Sequence, residues 1–217
     1  MKYQLLIFDW DGTLADSTGR IVDSMQRAAR LVGLPAITDA EAQNIIGLGL
    51  PEALRTLWPS ITAKELEAMR ESYARHFVYD SQVSMALFDG AREMLENLGA
   101  EGHLLAVATG KSRKGLDRIL YDLGATHLFA TTRCADETLS KPDPLMINEI
   151  LAELNVSASR ALMVGDTTYD LDMARAAGVA TIAMSHGAHD DERLLACKPL
   201  ELCHSIADLE QWLSNNG

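Results

Sequence analysis

The 217-residue sequence predicts an α/β fold: a doubly wound, Rossmann-like parallel sheet in a three-layer α/β/α arrangement, carrying an inserted all-helical cap domain. Three observations predict it. Short continuous apolar runs recur along the chain, and such runs mark strands buried on both faces. Stretches of helical length lie between them, and strands alternating with helices build a parallel sheet covered on both sides. Between the first run and the second lie more than ninety residues, where one helix and two short loops suffice for a crossover.

Taken in order, the first run is Tyr3–Phe8 (YQLLIF), read as a buried strand. The insert follows. In it Ile21, Met25, Ala28 and Val32 fall on one helical face, with Gly33 as a stop. Residues Thr62–Tyr79 are rich in helix formers, with Leu66, Met69, Tyr73 and Phe77 in step. No strand is predicted there. The insert is placed at residues 16–83, leaving residues 1–15 and 84–217 as the sheet domain, with hinges near Asp16 and near Met85 to Asp89. The sheet then resumes with strands at Leu104–Ala108, Ala161–Val164 and Val179–Ala183, and a short one near Leu128–Thr131. Helices are predicted at Ala91–Leu98, Ser112–Leu123, Pro144–Leu154 and Thr167–Ala177, with Gly124 and Gly178 as C-terminal stops.

Composition narrows the classes. With 47% hydrophobic and 23% charged residues the chain is globular, and 15 Gly, 6 Pro and 3 Cys exclude collagen-like and disulfide-scaffold chains. Cys134, Cys197 and Cys203 lack the spacing of a zinc site and read as reduced packing residues. No run approaches the roughly 18 to 20 apolar residues of a membrane span, and Lys2 begins a strand rather than a signal peptide; a cytoplasmic protein is expected. The net charge of −12 offers no basic surface for a phosphate backbone, so nucleic acid is not an expected partner. An acidic protein that handles anions needs a local reversal of sign.

Four motifs carry chemistry. Asp9-Trp10-Asp11-Gly12-Thr13-Leu14 follows the first strand, and two carboxylates at that spacing repel unless a cation sits between them. A hard, oxygen-seeking ion such as Mg²⁺ suits such a site; an ordinary solvated turn uses the same residues. Gly165-Asp166-Thr167-Thr168-Tyr169-Asp170 again closes a strand and opens a helix, where Asp166 and Asp170, four apart, share a face near the helix's positive end, or Asp166 is simply a cap. Thr109-Gly110-Lys111-Ser112 combines a hydroxyl with free backbone N–H groups able to hold a phosphate, or is a turn capped by Ser112. In Ser140-Lys141-Pro142-Asp143-Pro144 the prolines are read as holding the chain extended before a helix capped by Asp143. Ligands of open parallel sheets bind beyond the carboxyl ends of the strands. If the three strands are neighbours, carboxylates, a hydroxyl and an ammonium converge on one crevice fit for phosphoryl transfer.

In this order the motifs resemble those of the haloacid dehalogenase superfamily, specifically its phosphoglycolate phosphatase-like members with a helical cap inserted after the first motif. The resemblance runs from Asp9 to the strand ending near Ala183. It implies a Mg²⁺-dependent phosphatase of a small phosphorylated metabolite, acting as a monomer or weak dimer. By position Asp9 is the nucleophile that forms an aspartyl-phosphate, and Asp11 the acid and then the base. Thr109 and the Gly110 amide hold the phosphoryl group with Lys141, which also orients Asp9. Asp166 ligates Mg²⁺ beside Asp9 and the Asp11 backbone carbonyl, and Asp170 supports the cluster. Many members active on phosphoglycolate carry Asn after the threonine, where this chain has Gly110.

Other expectations stay open. Gly47–Pro51, with Arg55 one turn beyond, is either a cap loop that reaches the site or a plain helix connection. Ser185–Asp191, with His186 and His189, reads as a transition-metal site or as a solvated loop. A sugar-phosphate mutase shares all these motifs. A receiver-type signalling module also combines an acidic cluster with Thr and Lys, although it is shorter and is phosphorylated on a later strand. A phosphonatase needs a Schiff-base lysine from the cap, and Lys64 is the one lysine in the insert.

Overall fold

The computed structural model describes residues 2–216. Its centre is β1 (Leu5–Phe8), all four residues of which are buried because both faces of the sheet are covered. Burying each such side chain contributes about 1.5 to 3 kcal/mol, so a continuous apolar run is stable only here. The chain then crosses β2 (Ala15–Asp16) into four helices: α1 (Thr18–Val32), α2 (Asp39–Asn44), α3 (Leu50–Leu57) and α4 (Ala63–Arg75). A single π-helical turn, His76–Asp80, extends α4. The return strand β3 (Ala86–Leu87) pairs antiparallel with β2, so the two crossings lie side by side.

The helical segment has its own core. Met25, Ala28, Leu54, Trp58 and Met69 are buried together, and Gly33 ends α1 with φ of 84° as the sequence predicts. Thr62 caps α4 in a capping box with Glu65, satisfying two otherwise unpaired N–H groups.

After β3 follow α5 (Ala91–Ala100), β4 (Leu104–Thr109), α6 (Arg113–Asp122), β5 (Thr131–Cys134), α7 (Leu145–Leu154), β6 (Ala161–Gly165), α8 (Thr168–Ala176), β7 (Ala180–Met184), α9 (Asp191–Ala196), β8 (Glu201–Cys203) and α10 (Ile206–Asn216). The six-stranded sheet has the order β5-β4-β1-β6-β7-β8, every pair parallel. Helices α5, α6 and α10 cover one face through Met94, Leu116 and Leu209, and α7 and α8 cover the other through Ile147, Ile150 and Met173.

Three expectations need correction. The short strand runs at Thr131–Cys134, three residues later than predicted, and residues Thr126–Leu128 form a 3-10 turn instead. It is an edge strand whose Arg133 pairs with Glu149 and Glu153, so its sequence reads as polar. Residues 141–144 form a turn rather than an extended run, with Lys141–Pro142 cis. The N-cap of the following helix is Pro144 rather than Asp143, although the Asp143 carboxylate accepts from the Leu145 N–H at 2.9 Å from one residue further back. Finally, β8, α9 and α10 were not predicted; the Glu201–Cys203 strand is only three residues long and α9 only six.

Candidate active site

Because β4, β1 and β6 are neighbours, the residues at their carboxyl ends meet. Asp9 follows β1, Thr109 ends β4, and Asp166 follows β6; all three are buried. Lys141 enters from the turn before α7. Its Nζ donates to Asp9 Oδ1 and to Asp170 Oδ1, each at 2.6 Å, with no exposed side-chain surface. Burial alone drives an ammonium towards its neutral form, but Asp170 and Asp9 outweigh this and hold Lys141 charged.

Asp9, Asp166 and Asp170 each present an oxygen within 4.8 Å of the others. Three buried carboxylates against one ammonium leave negative charge unbalanced. Burial raises the Asp9 carboxyl well above its usual range, Lys141 opposes this, and Asp170, Asp166 and Asp11 add to the rise. The Asp166 carboxyl is pushed up to about 7 by burial and by Asp170. Asp9 Oδ2 is buried with no hydrogen-bond partner. An orphaned carboxylate oxygen beside two further carboxylates is the donor set of a hard cation, and the residues fit a metal ion.

Other groups fix these carboxylates. Thr13 Oγ1 donates to Asp166 Oδ1 at 2.6 Å, and the Ala188 N–H donates to Asp166 Oδ2 at 2.8 Å. Thr167 caps α8 in a capping box with Asp170, which brings the Asp170 carboxylate back towards the strand end. The Asp11 carboxylate turns elsewhere: Ser17 Oγ donates to its Oδ1 at 2.5 Å, and Lys111 Nζ lies 2.8 Å from the same oxygen. Asp11 therefore adds no side chain to the acidic group, which leaves its backbone carbonyl for the metal role that the resemblance implies. Thr109 Oγ1 accepts from the Lys111 N–H at 3.2 Å, in the turn that Ser112 closes as the cap of α6.

The Gly47–Pro51 loop reaches over this turn. A Cβ on Gly110 would meet Leu48 O at 2.5 Å and Gly47 O at 2.6 Å. The Gly49 N–H donates to Ser140 Oγ at 2.8 Å, and Tyr169 OH donates to Asn44 O at 2.8 Å. Arg55 does not join: it is exposed and lies 3.8 Å from Glu52. The Ser185–Asp191 loop is packed. His189 is buried and its Nδ1 accepts from the Thr168 N–H, while His186 stacks on Phe88 at 3.9 Å. Both imidazoles sit below their usual pKa, chiefly through burial. Lys64 is exposed at the start of α4.

Sequence reasoning missed Thr13, Ser17 and Lys111 as site residues. The signal for the first two was a hydroxyl just beyond the D-x-D-G turn. Lys111 gave none, because its partner is a hundred positions away.

A strand-end acid pair, a buried lysine and a helical cap define a known class. The profile described as haloacid dehalogenase-like hydrolase matches residues 6–184, and the chain belongs to that family. It is 31% identical over 205 residues to the phosphoglycolate phosphatase of Vibrio cholerae, covering 90% of each chain, which places it in the phosphoglycolate phosphatase-like subgroup of these hydrolases. It is also 35% identical over 187 residues to the tyrosine-protein kinase PtkA of Mycobacterium tuberculosis, covering 85% of this chain and 62% of that protein. The crystal structure of a predicted phosphoglycolate phosphatase from Haemophilus somnus shares the fold, with a TM-score of 0.88 and 24% identity over 98% of this chain and 99% of that one. Family membership sets aside the receiver module. No helix among the described residues is long and apolar enough to cross a membrane.

Proposed function

We propose that the protein is a Mg²⁺-dependent phosphomonoesterase acting on a small organic phosphate through an aspartyl-phosphate at Asp9. The observation that carries this reading is the orphaned, buried Asp9 Oδ2 beside Asp166 and Asp170, opposite an oxygen already fixed by Lys141. Asp9, Asp166 and the Asp11 carbonyl would hold the ion, with Asp170 behind them. When bound, Mg²⁺ supplies positive charge that keeps Asp9 ionised and faces the phosphoryl oxygens.

The chain's own groups do the rest. Lys141 fixes the angle of the Asp9 carboxylate, and with the Thr109 hydroxyl and the Gly110 N–H it holds the phosphoryl oxygens. A carboxylate oxygen of Asp9 forms a bond to phosphorus as the bond to the leaving oxygen breaks. The Asp11 carboxyl gives its proton to that oxygen, so a neutral alcohol departs. A water then bonds to phosphorus, Asp11 takes its proton, and the Asp9–phosphorus bond breaks to release phosphate. Asp11 serves both halves because the first leaves it as the base that the second needs. Ser17 and Lys111 hold it beside the cleft and not in the acidic group.

Replacing Asp9 with Asn is expected to cut phosphate release by about a thousandfold or more, and Asp11→Asn by about 10² to 10⁴. Rapid quenching of the native protein with substrate should give an Asp9 peptide carrying a phosphoryl group. Full activity of Asp9→Asn would overturn the mechanism. Isomer without free phosphate, from a sugar phosphate, would move the assignment to a mutase.

A further inference from the structure

A cavity of about 620 Å³ lies between the helical segment and the sheet, and Asp11 and Gly110 of the candidate site are part of its lining. Beside them, Ile21, Met25, Leu48, Tyr73, Phe77 and Met85 give it an apolar and aromatic body. A two-carbon alcohol would fill a small part of it; sites of roughly 300 to 1,000 Å³ enclose ring-sized ligands.

Its charge also departs from that of the chain. In a protein of net charge −12, the cavity is lined by five cationic side chains and three carboxylates. Lys114 and Arg118, four residues apart on one face of α6, line one wall, and Lys111 in the turn that leads into the helix lines it too. Lys111 begins the series at Asp11 and lies 4.8 Å above the centre of the Phe77 ring. Arg20 flanks the same ring from the cap at 5.3 Å and donates to Phe77 O at 2.7 Å. Among the described residues, Arg20 and Lys114 have no carboxylate within ion-pair distance.

None of these cations belongs to the phosphoryl site, which Thr109 and Lys141 serve. We infer that the leaving group of the physiological substrate is a ring-sized apolar or aromatic body bearing a second anionic group, carboxylate or phosphate, which the Lys111–Lys114 wall reads. This deepens the phosphomonoesterase reading and rests on it. The apolar and aromatic lining around Tyr73 and Phe77 shelters the ring, and the ammonium groups select the charge.

The test compares kcat/KM for 4-carboxyphenyl phosphate, its uncharged isostere 4-carbamoylphenyl phosphate, and phosphoglycolate. The native protein is expected to prefer the carboxylate over the amide by about tenfold or more, the worth of one charge-assisted contact, and to prefer both to phosphoglycolate. In Lys114→Glu and in Lys111→Met that preference should fall towards one, with Lys111→Arg restoring it. Because it is a ratio, any change that Lys111 makes to Asp11 acts on both esters alike and cancels. A native ratio near one, a ratio unmoved in both variants, or better turnover of phosphoglycolate would overturn the inference while leaving the phosphatase assignment intact. No phosphate from any ester, and no phosphoryl group on Asp9, would overturn that assignment and this inference with it.

Discussion

Lys141 is bonded to two carboxylates and shut off from water, so it cannot be removed without leaving buried charge uncompensated. We expect Lys141→Met to lower stability by about 3 to 5 kcal/mol in metal-free urea unfolding, and to abolish turnover under conditions where the variant is folded. An unchanged midpoint would show that the ion pairs contribute nothing net. At this scale the sequence was informative where a residue's place follows from its own strand. Asp9, Thr109 and Asp166 were legible because each ends a run that announces itself as buried, and strand ends in a parallel sheet converge. Asp170 and Lys141 followed only as parts of motifs. Lys111 was invisible, since a lysine after a glycine turn looks solvated until the fold sets Asp11 beside it.

The helical cap and the sheet domain meet at the 44–49 loop, at the β2–β3 ribbon and where Lys111 and Arg118 lie over the Phe77 and Tyr79 rings. At the loop, Gly110 leaves room for the Gly47 and Leu48 carbonyls, and this gives a steric meaning to the glycine that follows Thr109 in this chain. A side chain there has to displace cap backbone, which cannot yield as a flexible side chain can. Gly110→Asn is expected to lift the 44–49 loop and lower kcat/KM by roughly tenfold to a hundredfold, with faster amide exchange at Gly49, whose N–H is held by Ser140. Unaltered exchange would mean that the loop accommodates the side chain. The insert itself was legible from the excess length between two strands, and its capping boxes and stripes follow ordinary helix rules. Its π-helical end was not, because Leu66, Met69, Tyr73 and Phe77 keep helical spacing into His76–Asp80 without marking the wider turn. Strands β2, β3 and β8 were hidden by their brevity; two or three residues cannot display a period.

Over the whole molecule, the acidic balance acquires a spatial meaning: Asp9, Asp166 and Asp170 gather into a donor set that fits a cation, and five cationic side chains line the cavity under the helical segment. The cluster also links stability to pH. Asp9 and Asp166 have raised carboxyl pKa values in the folded state, so the folded chain holds more protons than the unfolded one between about pH 4 and 7. Their contribution to stability therefore falls as pH rises through that window in metal-free protein. A bound divalent ion removes the cause, so the rise in melting temperature on adding Mg²⁺ should be larger at pH 8 than at pH 5. An equal rise at both would place the ion elsewhere.

The position of β1 has a consequence for how the chain reaches this state. It precedes every other strand of its sheet along the chain, yet its partners are Leu104–Thr109 and Ala161–Gly165. Growing from the ribosome, the segment that ends in Asp9 has neither neighbour until most of the polypeptide has emerged, whereas α1 to α4 close their own core from residues between Met25 and Met69. Long-range parallel pairing is slow to form because loop closure comes before its reward. The helical insert is therefore the part able to order first, with the strand that leads to Asp9 waiting exposed beside it and dependent on β4 and β6 for shelter.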